Sequence, residues 1–137
     1  MAKTPFKCTE VSRMRSIDKN LYLGSLEAAV DKVWVPGKAI QAIFGFLDPS
    51  DGFKYPEVIR SNCECHLFGL MDGSDDLVEV YLRTVHNTLT QYLRDGKKVL
   101  IHCHQGISRS VSIVLLYAMH AQGLSLNVSF SSVCYSV

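Results

Sequence analysis

Residues 97–110 read Lys97-Lys98-Val99-Leu100-Ile101-His102-Cys103-His104-Gln105-Gly106-Ile107-Ser108-Arg109-Ser110. Lys98 to His102, with Val99-Leu100-Ile101 at its centre, predicts a compact buried strand. Gly106 to about Gln122 spans 17 residues, too many for one strand, so a helix is predicted despite the β-branched content. A strand, a loop and a helix therefore follow one another, with a thiol in the loop. Working back towards the N-terminus, Leu77, Tyr81, Val85 and Leu89 recur at four-residue spacing beside Val78, Leu82 and Leu93. They predict a helix from Ser74 or Asp75 to Asp95. Asp75, Asp76 and Glu79 suit its positive end, Arg94 suits the other, and Gly96 suits a left-handed stop. Ile17 to Leu23, Gln41 to Leu47 and the stretch between Cys63 and Leu70 are strand candidates. Ser25 is placed to cap a short helix through Leu26-Glu27-Ala28-Ala29-Val30, closed by Pro36-Gly37. This alternation predicts an α/β fold, a central mostly parallel sheet flanked by helices, with ligands bound beyond the carboxyl ends of the strands.

The composition agrees with such a domain and excludes several others. A chain of 137 residues with 47% apolar and 20% charged residues is long enough for its own core and unlike a disordered or fibrous one. A formal charge of +1 does not support a broad nucleic-acid-binding face, so any anion chemistry belongs to one small site. No run approaches the roughly 18 uncharged apolar residues of a membrane span, and MAKTPFKCTE lacks the apolar core of a signal peptide. The cytosol or nucleus is the expected compartment, and Ala2 excludes myristoylation. Five cysteines (Cys8, Cys63, Cys65, Cys103, Cys134) in a chain without secretory context suggest thiols rather than a disulfide framework. Without that context the Asn127-Val128-Ser129 sequon reads as chance. Residues 1–15, with Lys3, Lys7, Arg13 and Arg15 and little apolar periodicity, are expected to form a flexible arm.

The loop's chemistry follows from where it lies. Cys103 ends a buried strand beneath a helix N-terminus, where unpaired amides and the helix dipole stabilise a negative charge. A thiolate rather than a thiol is the nucleophile, and such surroundings lower a cysteine pKa. Gly106 permits a tight wrap with amides turned inward, and the Arg109 guanidinium matches two oxygens of a phosphate. Ser110 is placed to donate its hydroxyl to Cys103, steadying the thiolate and helping it leave. His102 is expected to orient the loop through backbone bonds rather than act as a base.

His102-Cys103, five residues, then Arg109-Ser110 resembles the signature of the cysteine-dependent protein phosphatases. Gly106-Ile107-Ser108-Arg109-Ser110 is similar to the ending found in the dual-specificity protein phosphatases. A distant second stretch, Leu21-Tyr22-Leu23-Gly24-Ser25 with Ala28 and Ala29, looks like their N-terminal strand-to-helix segment. The resemblance spans 16–126, taken as the catalytic domain. It implies that His104, Gln105, Gly106, Ile107, Ser108 and Arg109 bind phosphate and that Cys103, Arg109 and Ser110 are catalytic. It also implies a carboxylic acid on a separate loop about thirty residues ahead of the cysteine. Asp72, 31 positions before Cys103, matches that place, while Asp75 and Asp76 sit where helix-start acids belong. The mechanism implied is a two-step hydrolysis of phosphotyrosine and phosphoserine or phosphothreonine through a phosphocysteine. No metal or other cofactor is implied, and the partner is a phosphorylated protein, with neither nucleic acid nor membrane.

Gln105 and Val111 depart from that family's usual small or proline residues. After Gly123-Leu124-Ser125-Leu126, where the family continues into further helices, residues 127–137 are poor in helix formers and uncharged. They are expected to form an atypical tail, with the C-terminal helices missing. From a different class, the rival is a phosphoprotein-binding module that keeps the cradle but turns over slowly. A rhodanese-type sulfurtransferase is disfavoured by its shorter loop, and a lipid phosphatase by the absence of lysines around Arg109. Cys63-x-Cys65-His66 and His102-Cys103-His104 do not have standard zinc spacing, so Cys63 and Cys65 are expected as core cysteines.

Overall fold

Five strands, β1 (Cys8–Glu10), β2 (Leu21–Gly24), β3 (Ala42–Leu47), β4 (Glu64–Gly69) and β5 (Val99–Cys103), form one sheet in the order β1-β2-β5-β3-β4. The computed structural model describes residues 8–10, 19–47, 52–69, 81–103 and 109–123. The strand that ends in Cys103 is thus the middle one, running parallel to β2 on one side and β3 on the other. Every residue of β2, β3 and β5 is buried, as expected of parallel strands covered on both faces. β4 runs parallel to β3, and among the described strands only β1 is antiparallel. The predicted mostly parallel α/β sheet is the fold observed.

Helices divide unequally between the two faces. One face carries Leu21, Leu23, Phe44, Phe46, Ile101 and Cys103, packed against a π-helical turn (Tyr81–Val85), α4 (His86–Arg94) and α5 (Arg109–Gln122). The other carries Tyr22, Ile43 and Leu100, covered by short pieces: α1 (Leu26–Ala29), α2 (Trp34–Gly37) and α3 (Glu57–Asn62). Ser25 caps α1 as predicted, its hydroxyl accepting from the Ala28 amide. Gly96 stops α4 with φ of 77°, its amide bonded to the Leu93 carbonyl and that of Lys97 to the Tyr92 carbonyl. At the sheet edge, the Tyr92 hydroxyl of α4 donates to the Glu64 carboxylate and lies 2.9 Å from His66 Nε2, tying the helix to β4.

Three local expectations are corrected. Cys8–Glu10, inside the segment expected as a flexible arm over 1–15, pairs with Gly24, Leu23 and Tyr22. Backbone pairing along an open sheet edge supplies the order that apolar periodicity did not announce. The described part of the long helix begins as a π turn rather than an α turn, with Tyr81 and Val85 both fully buried. α3, which follows Pro56 and was not expected as a helix, places only Ile59 in the core, so its six residues carry little periodicity. The predicted start of the long helix, Ser74 to Val80, and the tail over 127–137 lie outside the described residues.

Candidate active site

Successive residues of a strand point to opposite faces, so His102 and Cys103 separate at the end of β5. Cys103 turns towards α5, 2% exposed, and its Sγ lies 3.3 Å from Ser110 Oγ. Ser110 is fully buried and is the second residue of α5, so the sulfur sits at the start of a 14-residue helix. Such a start presents amides and the positive end of the dipole, which favours the thiolate. A sulfur anion can only accept in the pair with Ser110, so the serine hydroxyl then donates.

His102 turns to the other face and is fully buried. Its Nδ1 lies 3.1 Å from the Cys103 carbonyl and its Nε2 lies 2.6 Å from the Tyr55 hydroxyl. A carbonyl accepts only, so Nδ1 carries the proton; Nε2 is then the acceptor and Tyr55 donates. In this neutral form both ring nitrogens are satisfied. Burial pushes the His102 pKa down to about 4, with the bond to the Cys103 carbonyl opposing. Burial also raises the Tyr55 phenol well above its ordinary value, with nearby Cys65 adding to the effect, so it remains a donor. An uncharged imidazole held at both nitrogens is a brace for the strand end, and it is not an imidazolium partner for the thiolate.

Gly45 of β3 sits opposite His102 in the register. A Cβ on Gly45 would press on the Tyr55 hydroxyl and stand 2.7 Å from His102 Nε2 and 2.9 Å from Leu67 Cδ2. Sequence reading missed both Gly45 and Tyr55. Tyr55 reaches His102 across 47 positions and nothing in its spacing announces it. Gly45 did leave a signal, since an isolated glycine inside the apolar run Ala42–Leu47 marks a close approach.

The other described cysteines are in different surroundings. The Cys63 thiol donates to the Ile40 carbonyl at 3.1 Å, and that of Cys65 to the Cys63 carbonyl at 3.6 Å. Burial raises both thiols, Cys65 to about 11, where Cys63 adds to the rise and Arg60 opposes it. Neither is placed as a nucleophile. None of Cys63, Cys65 and Cys103 is in a disulfide. Among the described residues no three or more His, Cys, Asp or Glu side chains converge as a metal site, and no helix is long and apolar enough to cross a membrane. The structure brings Cys103 and Ser110 together and sets His102 on the opposite face, where its Nδ1 meets the Cys103 carbonyl. It places the Arg109 backbone at the first position of α5. His104, Gln105, Gly106, Ile107, Ser108, Asp72, Asp75 and Asp76 lie outside the described residues, as does the Arg109 side chain.

A thiol between the carboxyl end of a central strand and the start of the following helix is one feature; the family match is the other. A family model described as the dual specificity phosphatase catalytic domain matches residues 21–136. The chain belongs to this family. Among curated relatives of the dual specificity phosphatases, it is 33% identical to dual specificity protein phosphatase 1 of Arabidopsis thaliana, over 80% of this chain and 53% of that protein. It is 30% identical to the tyrosine-protein phosphatase yvh1 of Schizosaccharomyces pombe, over 77% of this chain and 31% of that protein. The chain therefore spans about half the length of the first of these relatives and less of the second. Among solved structures, a human tyrosine phosphatase-like serine/threonine/tyrosine-interacting protein superposes with a TM-score of 0.81 at 20% identity, over 95% of this chain and 83% of that one. A kinase associated phosphatase with its catalytic-site cysteine replaced by serine superposes with a TM-score of 0.74 at 21% identity, over 98% of this chain and 85% of that one. These likenesses show the phosphatase fold.

Proposed function

We propose that this chain is a protein phosphatase acting on phosphotyrosine and on phosphoserine or phosphothreonine through a phosphocysteine intermediate. The observation that carries the reading is the Cys103 thiol, buried at the start of α5 with the Ser110 hydroxyl 3.3 Å from its sulfur. In the first step the Cys103 thiolate attacks phosphorus in line, the S–P bond forms and the P–O bond to the leaving group breaks. Asp72 gives its proton to the departing oxygen. Arg109 and the amides of residues 104–108 hold the equatorial oxygens and offset their charge. In the second step the Asp72 carboxylate takes a proton from water, the water oxygen attacks phosphorus, and the S–P bond breaks. The electron pair returns to sulfur, where Ser110 donates to it, and inorganic phosphate leaves. Arginine and amides supply the positive field, so the scheme has no step that needs a metal.

The test is turnover of para-nitrophenyl phosphate, then of phosphotyrosine and phosphothreonine peptides, by the 137-residue protein beside Cys103→Ser. The expected result is hydrolysis by the first and none by the second, with tungstate or phosphate binding kept by both. Equal turnover by the two proteins overturns the mechanism. Anion binding without turnover in the unaltered protein replaces it with the phosphoprotein-binding reading.

A further inference from the structure

Two helices of one layer carry histidines that the phosphatase chemistry does not use. His86 opens α4 and His120 lies in the last turn of α5, with ring centroids 4.4 Å apart and ring planes at 79°. His86 is half-buried and His120 exposed, so the pair is within reach of solvent. His86 is also held from behind: the hydroxyl of Tyr81, a fully buried residue, lies 3.0 Å from its Nδ1. Residues five apart on a regular α-helix stand about 140° apart around the axis, at 3.6 residues per turn. The π turn over Tyr81–Val85, whose bonds close over five residues, brings Tyr81 and His86 to one side instead.

Three properties of this pair suit a metal ion. The Tyr81 oxygen accepts from Nδ1–H in one tautomer of His86, and Nε2 then keeps its lone pair; ligating histidines are typically held this way through the other nitrogen. With metal–nitrogen bonds of about 2.0–2.1 Å, two imidazoles at right angles have centroids about 4.5 Å apart, against about 5.2 Å at a tetrahedral angle. The observed 4.4 Å fits the right angle. Finally, His120 stands at the end of a 14-residue helix, where unpaired carbonyls and the negative end of the dipole favour a cation.

We propose that His86 and His120 form a two-histidine site for a divalent transition-metal ion of the nickel or copper class, with Tyr81 as its positioning residue. It is smaller than the three-ligand clusters that are absent among the described residues. Two imidazole nitrogens replace two of the ion's waters, the other positions stay with water, and no oxidation state changes. Nitrogen ligands at right angles select such ions over magnesium and calcium, which take oxygen. Because the ligands come from two helices, 34 positions apart in the chain, the ion ties α4 to α5 and favours the folded state. His120 is ten residues beyond Ser110, about 15 Å along α5 at 1.5 Å per residue, so the inference stands apart from the phosphatase reading.

The experiment titrates nickel sulfate into the full chain carrying Cys103→Ser, which removes the site thiol as a competing ligand. Binding is read by equilibrium dialysis and by Tm. The same titration is made with His86→Gln, His120→Gln and Tyr81→Phe in that background. The expected result is one ion per chain at this site and a Tm that rises with nickel and not with magnesium. Either glutamine variant weakens the binding at least about tenfold and loses the rise in Tm, because a single imidazole no longer chelates. Tyr81→Phe, measured where it is folded, weakens nickel about ten- to a hundredfold, which a merely structural role would not do. If Tyr81→Phe does not fold, His120→Gln, at an exposed position, decides the outcome. Unchanged nickel affinity in His120→Gln, or an equal rise in Tm with magnesium, overturns the proposal. So do two independent sites, of which each glutamine variant removes one and leaves the other unweakened.

Discussion

Replacing Ser110 by alanine removes one oxygen, 3.3 Å from the Cys103 sulfur, at a fully buried position. In a site this enclosed, bulk water does not take the hydroxyl's place. A hydrogen bond to a charged group contributes about 1.5–3 kcal/mol, and a neutral thiol is only a weak acceptor, so most of that loss falls on the thiolate. At about 1.4 kcal/mol per pH unit, the ionisation midpoint of Cys103 in Ser110→Ala moves up by roughly one to two units. The first assay is iodoacetate alkylation against pH. The second is rapid-quench kinetics with para-nitrophenyl phosphate. A poorer thiolate is also a poorer leaving group, so breakdown of the phosphocysteine slows about tenfold or more and a burst of nitrophenol precedes a slow steady state. A midpoint moved by less than about 0.3 unit together with no burst refutes the reasoning, because the hydroxyl would then not be donating to sulfur.

Asp72→Asn is expected to remove the basic limb of the pH–rate profile and to lower kcat about a hundredfold for alkyl phosphates, which need a protonated leaving group; an unchanged profile would move the acid to Asp75. Burial holds His102 at about 4, below the ordinary histidine value, so the unfolded chain binds its proton first as pH falls. Its contribution is therefore fully present above about pH 6.5 and lost through pH 4, about 3 kcal/mol in all. Urea melts between pH 7 and pH 4 should show His102→Asn losing that much less than the unaltered protein. His66 and His86, both lowered chiefly by burial, act in the same direction in both proteins, and equal slopes would contradict the assignment. Phe44→Ala empties a fully buried site whose ring meets His66 at 4.9 Å and Phe68 and Tyr92 at 5.9 Å. A stability loss of about 3–5 kcal/mol in urea is expected, and less than about 1 kcal/mol would mean that this ring cluster is not the core it looks to be.

The readable parts of the sequence were those where a local rule and the tertiary structure agree. Val99 to Ile101 is apolar because it belongs to the middle strand, and the neighbours β2 and β3 are apolar for the same reason. Ser25 and Gly96 are legible because capping and a left-handed stop depend on residues close by in the chain. Long-range contacts leave no such trace. Tyr55 lies in a loop-like Phe53-Lys54-Tyr55-Pro56 stretch, and the histidine that it meets is 47 positions away. β1 gains its order from backbone pairing with β2, which hydrophobic spacing does not encode. For the site, the motif groups Cys103, Ser110 and His102 near one strand end, whereas it is the fold that sets His102 and Cys103 towards opposite layers.

The sheet order bears on how the protein comes to exist. β2 and β3 precede β5 in the chain but do not pair with each other; each pairs with β5. A growing chain that has emerged only as far as α4 therefore holds two half-sheets with open edges and no strand between them. Joining them requires contacts between distant residues, the slow class of folding event. The strand that joins them is the one that ends in the thiol. Completing the sheet and carrying Cys103 to the start of α5 thus fall to the same strand.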